Sequence, residues 1–375
     1  MSSSATRELS MVIALVAIVA FFAWQEPVFL SSRNLSLLSV ELAITAILAL
    51  GMLVVLLPGQ IDLSAGSGVG LAGAVAAVLV FWHDVPAPVA LLVAAAGAVV
   101  VWSAMGALIA IERSPAFIIT LGGLLVFRGL HWLVIDNQTV PVVAGGGENV
   151  FSLLTTYYLP PLAGYVLAGV TVAAITWSTL GARRRRQSYG FAFDDAELTF
   201  LKLFVLAQLV LLAVIVTNGY RGVPIALVIL GLVATLVHQL VMHTPFGRYL
   251  YAIGGNEEAA AVSGVPVRTA VIGAYALMGA IVALSGFMQT AYSGASTSTV
   301  GSLMELDAVA ACVIGGTSLR GGRGTVRGVL FGAVIMACLL NGMTLMAVSP
   351  EAKYIARGVV LALAVWLDLR LGQGR

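Results

Sequence analysis

Residues 36–57 read SLLSVELAITAILALGMLVVLL and stop at Pro58-Gly59. A run of this length suits an α-helix crossing the ~30 Å hydrocarbon core of a bilayer, which takes about 20 residues. Further apolar runs lie at roughly 10–25, 64–82, 88–111, 116–135, 161–180, 199–217, 222–242, 268–292, 303–316, 325–347 and 352–370. The pattern predicts an all-α polytopic membrane protein with about 12 transmembrane segments and both termini in the cytoplasm. The run at 303–316 is short, so it reads either as a re-entrant half-helix or as part of a broken span.

Composition points the same way. Of 375 residues, 60% are hydrophobic and 10% are charged, against roughly a quarter charged in a soluble domain. A soluble fold cannot hide that much apolar surface from water. The 41 glycines suit the close helix–helix approach that small residues allow in lipid. A net charge of +2 shows no nucleic-acid footprint.

Two independent signals support the partition. All 12 prolines fall between runs or in a first turn, where a missing N–H is harmless. With the N-terminus inside, Arg7, Arg113, the four arginines at 183–186, Arg248, Arg268, Arg320, Arg323, Arg327, Arg370 and Arg375 fall inside. Only Arg33, Arg221 and Lys353 fall outside, as the positive-inside rule requires. Arg128, Lys202 and Arg357 lie within spans. Adding or dropping one span breaks this sorting. The run at 116–135 inserts despite Arg128 and His131. Its dozen or so apolar residues contribute about −5 kcal/mol, against about +3 for a central arginine. Arg128 then faces protein or an aqueous cavity. The run at 11–24 has the look of a signal-peptide core. Gln25, Glu26 and Pro27 follow it rather than a small-residue cleavage site, so it reads as a retained first span.

No catalytic, metal or cofactor chemistry is legible. Cys312 and Cys338 sit in apolar runs at no ligand spacing, and His83, His131, His238 and His243 share no metal motif. Gly68, Gly70 and Gly73 match G-x-G-x-x-G, but inside an apolar span with no strand before them, which is a helix-packing pattern. The two lysines, Lys202 and Lys353, lie in no Walker A frame. The chain is not an enzyme on this reading, and any work it does is driven from outside.

Three polar stretches carry the functional signal. The cytoplasmic loop 243–269 reads HTPFGRYLYAIGGNEEAAAVSGVPVRT. Gly254 and Gly255 stop one helix, and Asn256 is a good N-cap for a short helix with Glu257 in its first turn and Ala259 and Ala260 behind it. Ser263, Gly264 and Pro266 end it. A capped cytoplasmic helix between two spans is more than a connector needs, and it reads as a docking element; its lack of basic residues argues against a helix lying on the bilayer. In ELDAVAACVIGGTSLRGGRGTVRG, at 305–328, Glu305 and Asp307 open an apolar run that breaks into glycines, which allow tight packing and a bend. Acids inside a membrane are expensive and face cavities. In GQIDLSAGSGVGLAG, at 59–73, Asp62 and Ser64 either cap the next helix or line a path. The candidate path residues are Asp62, Ser64, Arg128, Glu305, Asp307 and Asn341.

These stretches, with SPAFIITLGGLLVFRG at 114–129, resemble the sugar-importing ABC permease family, in its ribose/xylose branch. The likeness runs from about Leu35 to Asp368 and is nearest to the longer, xylose-type chains. In these, a pair of spans at 161–217 is inserted relative to the ribose type. The resemblance implies a single membrane domain over 1–375 in the bacterial inner membrane, a second permease copy and no cofactor. It also implies a cytoplasmic ABC ATPase and a periplasmic sugar-binding protein as partners. The 243–269 loop would couple to the ATPase through Gly254, Gly255, Asn256, Glu257, Ala259, Ala260, Ser263 and Gly264. Xylose or a related monosaccharide would be the cargo. An ion-coupled secondary transporter, with Glu305 and Asp307 as ion sites, is the alternative.

Overall fold

The computed structural model describes residues 3–143, 147–191 and 195–372. Arg375 and parts of two polar loops, 144–146 and 192–194, lie outside the described residues. The first half of the chain forms helices α1 (Ser3–Gln25), α2 (Ser32–Leu56), α3 (Ala65–Phe81), α4 (Ala87–Glu112), α5 (Ala116–Val134), α6 (Val150–Thr156) and α7 (Pro161–Ser188). The second half forms α8 (Ala196–Asn218), α9 (Ile225–His243), α10 (Pro245–Gly255), α11 (Glu257–Val262), α12 (Val267–Ser293), α13 (Met304–Ile314), α14 (Val326–Leu345) and α15 (Pro350–Gly372). Two antiparallel strand pairs add stitches between loops. In these β1 (Val140–Pro141) pairs with β4 (Ala295–Ser296), and β2 (Tyr158–Leu159) with β3 (Val223–Pro224).

Among the described residues, eight helices are long and apolar enough to cross a membrane: α2, α4, α5, α7, α8, α9, α12 and α14. The protein is therefore a polytopic α-helical membrane protein. Two expected runs are shorter than a crossing. Helix α3 has 17 residues, and α13 has 11, about 16 Å at 1.5 Å per residue.

Helix α2 is the axle. Its apolar window is 78% buried, with α9, α12, α13 and α14 packed around it. Small residues make the rest of the core close. On α3 a side chain at Gly73 would collide with Thr290 Oγ and the Gly286 backbone of α12. The α7–α8 hairpin is the opposite case, with each window only 11% buried. It is held by a small cluster of Ala168, Val214 and Val223 and by contacts of α8 with α2. Its two ends are already neighbours, since Leu159 pairs with Val223.

The loops gather at two ends. At the lower end, Gly322 N–H donates to Leu57 O at 2.8 Å, Tyr251 Oη–H donates to Gly324 O at 2.7 Å, and Arg113 shares a cleft with Glu257 and Arg268. At the upper end lie both strand pairs and the reciprocal amide clasp of Asn34 and Asn341, at 2.9 and 3.2 Å.

The two short helices meet head to head between these ends. From the lower end at Gly59 the chain runs without helix to Ser64 and only then begins α3. From the upper end it runs irregularly from Gly294 to Leu303 before α13 begins. Gly66 of α3 lies against Gly301 and Glu305, so both N-termini open at the same level, about halfway along the bundle. The run at 303–316 is thus one half of a broken element. Non-helical backbone at such depth is tolerated because protein surrounds it.

Candidate functional site

Acids collect at this crossing. Asp62 is fully buried and accepts three hydrogen bonds: from Ser64 N–H at 2.8 Å, from the Ser64 hydroxyl at 2.6 Å and from Trp102 Nε1–H at 2.7 Å. Such full satisfaction is what a buried carboxylate needs. Ser64 does occupy the N-cap position of α3, but its side chain makes no cap bond and is turned to Asp62 instead. The expected capping role is therefore corrected. The Asp–Ser pair forms a turn anchored on α4 through Trp102.

Glu305 and Asp307 fall in the first turn of α13, where the positive end of the helix dipole favours negative charge by roughly 0.3–1 kcal/mol. They point different ways. Glu305 is buried beside α3 and feels the charge of Arg128 from α5, while its Oε2 has no hydrogen-bond partner. Asp307 is paired with Arg357 of α15, Oδ1 to Nε 3.2 Å. Arg128 is itself exposed on α5 and lies over the Trp132 ring at 5.8 Å. Next to it, Trp132 Nε1–H donates to Ser298 O and His131 Nε2 contacts Ser296 Oγ, both at 3.3 Å, so α5 clamps the irregular segment before α13. Five of the six candidate path residues thus surround one half-helix. Asn341 does not; its amide is spent on Asn34 at the upper end.

The second element is the lower-end loop. Asn256 caps α11 by accepting from Ala259 N–H at 2.9 Å, and Ser263 closes it by donating to Ala259 O at 2.8 Å. The outward face carries Glu257, Glu258, Ala259, Ala261 and Val262, with Gly255, Ser263 and Gly264 flanking it. Val262, an aliphatic side chain 90% exposed on a loop, is its most prominent feature. Ala260 is corrected, because it is 5% exposed and packs inward. Gly254 also faces inward, and it is helical rather than a left-handed stop. A side chain there would collide with Leu57 O and Gly322 N.

That contact links the two elements. Gly254 seats α10 on the end of α2 and on the turn at Gly321 and Gly322, whose φ values of +86° and +72° suit glycine. Tyr251 closes the same joint with its bond to Gly324, and burial pushes its phenol pKa up, which keeps the donating proton in place. From this joint one chain direction leads to Asp62 and the other to α13. The sequence reading missed Tyr251, Trp102 and Val262. An aromatic three residues ahead of a glycine pair, and an aliphatic residue ending an otherwise polar-and-alanine helix, were the available signals.

A polytopic bundle with a broken-helix crossing, intramembrane acids and a capped, exposed short helix jointed to it is the architecture of a membrane transport subunit. The chain belongs to the family described as the permease component of branched-chain amino acid transport systems, whose model matches residues 34–365. It is 39% identical over 360 residues to the xylose transport system permease protein XylH of Escherichia coli K12, covering 96% of this chain and 90% of that one. It is equally similar to the XylH of Haemophilus influenzae, at 39% over 362 residues, covering 96% and 95%. The ribose import permease protein RbsC of Escherichia coli K12 is 33% identical, covering 96% and 93%. No solved structure matches the chain.

Proposed function

We propose that this chain is the membrane-spanning subunit of an ATP-driven, binding-protein-dependent importer, and that its cargo is xylose or a related monosaccharide. The observation that carries the reading is the exposed, capped α11, held to the acid-lined crossing by a backbone joint. A subunit driven by a separate cytoplasmic ATPase needs a receiving surface of this kind. Here a cytoplasmic ATPase would seat on Glu257, Glu258, Val262 and Ser263, and its stroke would reach Asp62 and α13 through Gly254.

The lower end is the cytoplasmic one in this reading. Arg113, Arg248, Arg268, Arg320, Arg323 and Arg327 lie on segments at that end, whereas Arg33, Arg221 and Lys353 lie on segments at the other. Counting the broken elements as crossings gives twelve, with both termini in the cytoplasm. A periplasmic sugar-binding protein would deliver to the upper end of a homodimer in a bacterial inner membrane. The 161–217 hairpin is an insertion on a shorter ribose-type plan, and its paired ends support that.

The test is uptake into proteoliposomes holding the chain with its ATPase and binding protein. Xylose uptake should require ATP and survive an uncoupler, and excess leucine should not compete. The acids of the crossing favour one second reading, ion-coupled secondary transport. Uptake that collapses with the proton gradient and ignores ATP would establish that reading in place of this one.

A further inference from the structure

A cavity of about 350 Å³ opens between α2, α12, α14, α15 and the segment leading into α13. This lies within the range of small-molecule sites, about 300–1,000 Å³. Thr344 and Ser293 line it toward the upper end and Asp307 toward the crossing, so it reaches from one end of the bundle to the level of the half-helices. Its walls are polar although the surrounding helices are apolar. Glu41 stands on α2 and accepts from Tyr292 Oη–H at 2.7 Å. Across from it are Gln289, Asp307 and Arg357.

The chemistry of these walls selects a ligand class. Asp307 is 5% exposed, and its Oδ1 contacts Arg357 but makes no hydrogen bond, so a buried acceptor aimed into the cavity has unused capacity. The carboxylates of Glu41 and Asp307 are balanced by the Arg357 guanidinium and by Lys353, whose Nζ donates to the lining Thr344 hydroxyl at 3.0 Å, so the space gives no net attraction to a phosphorylated or carboxylate-bearing solute. Arg357 is already engaged by Asp307, so it is not free to hold the carboxylate of an amino acid. The hydroxyls and the amide of the lining match a ligand that both donates and accepts along its length and carries no charge. Tyr292 adds a ring face for C–H groups.

We infer that this cavity is the resting site of a neutral polyhydroxylated solute, a monosaccharide, between its arrival at the upper end and the movement of α13. The assignment rests on the sugar-permease reading above. Closed contacts of Gly301 with Gly66 form the floor, so the solute waits there until the half-helices part.

The experiment uses the reconstituted complex with its ATPase and binding protein, and D-xylose as probe. Thr344→Cys should react with a membrane-impermeant methanethiosulfonate added from the upper side, with wild type, whose Cys312 and Cys338 are buried, as the blank. Xylose supplied with its binding protein should slow that labelling at least threefold, and leucine should not. Gln289→Ala should lower xylose uptake at least tenfold at normal yield of assembled complex. If that variant assembles poorly, Tyr292→Phe, which keeps the ring, should lower uptake at least threefold. Absent labelling, labelling indifferent to xylose, or wild-type uptake in the assembled variants overturns the site alone. A wild-type complex that moves no sugar under ATP overturns the site and the function reading together.

Discussion

Helix α2 and helix α8 have nearly the same hydropathy, 2.4 and 2.5, yet 78% of one window is buried in the protein against 11% of the other. The bilayer explains how both can be stable. Lipid tails are as apolar as leucine, so hydrophobicity commits a helix to the membrane but does not tell it whether to face protein or lipid. Depth in the bundle is decided by what the hydrophobic scale ignores: glycines that admit a neighbour's backbone, and polar groups that need a partner. Helices α3 and α12 supply the glycines, among them Gly66, Gly73, Gly279 and Gly286, while α2 and α13 carry buried polar groups such as Asn34, Glu305 and Asp307. The α7–α8 hairpin uses a glycine contact only at its upper end, where Gly164 meets Val214, Asn218 and Val223, whereas Gly169 and Gly181 meet nothing within 4 Å.

The comparison breaks most visibly at paired glycines. Gly73→Leu should cut the yield of monodisperse, detergent-solubilised protein at least tenfold. Overpacking costs about 1–3 kcal/mol even where side chains can shift, and here part of the obstacle is backbone. Gly169→Leu, on the hairpin, should give wild-type yield on size-exclusion chromatography; a loss equal to that of Gly73→Leu would mean that the hairpin is packed as tightly as the core. The next effect belongs to the exposed face of α11, the proposed docking surface. Val262→Glu should lower co-purification of the ATPase about tenfold or more, the worth of burying one valine at about 1.5 kcal/mol or above. Retained ATPase would place docking elsewhere.

Smaller is Tyr251→Phe. It removes one hydrogen bond worth about 1 kcal/mol, and so should reduce sugar moved per ATP roughly fivefold without releasing the ATPase. An unchanged ratio would show that the joint transmits nothing through that bond. Least of all should be deletion of 161–219, which rejoins strands already paired at Leu159 and Val223. Uptake within twofold of wild type is the expected result. Loss of assembly would make the hairpin part of the core after all.

Much of the fold was legible because it rests on local signals. Prolines, arginine sidedness and run length gave the membrane class, and Asn256 gave the cap of α11 before any coordinates. Glu305 and Asp307 announced themselves by their cost in an apolar run. What was not legible depends on facing. Ala260 and Val262 are two residues apart on one short helix, yet one is buried and the other exposed, and six residues are too few to carry a periodic pattern. Asn341 looked like a path residue because a polar group in a span demands a partner, but its partner lies 307 residues away. Glu41 meets Tyr292 across 251 residues. No spacing rule reaches that far, and helices apolar all round hide their faces.

The burial of α2 also sets an order in time. Its helix leaves the ribosome among the first, but the partners of Glu41 and Asn34 follow 251 and 307 residues later. At synthesis rates of about 5–20 residues per second, that delay is roughly 12 to 60 s. For that interval the future centre of the protein stands at the edge of an unfinished bundle, its Glu41 and Asn34 without their final partners. A ribosome stalled before α12 would leave a chain that is fully inserted yet unsealed, and it is this half-built form that a membrane quality-control protease would meet.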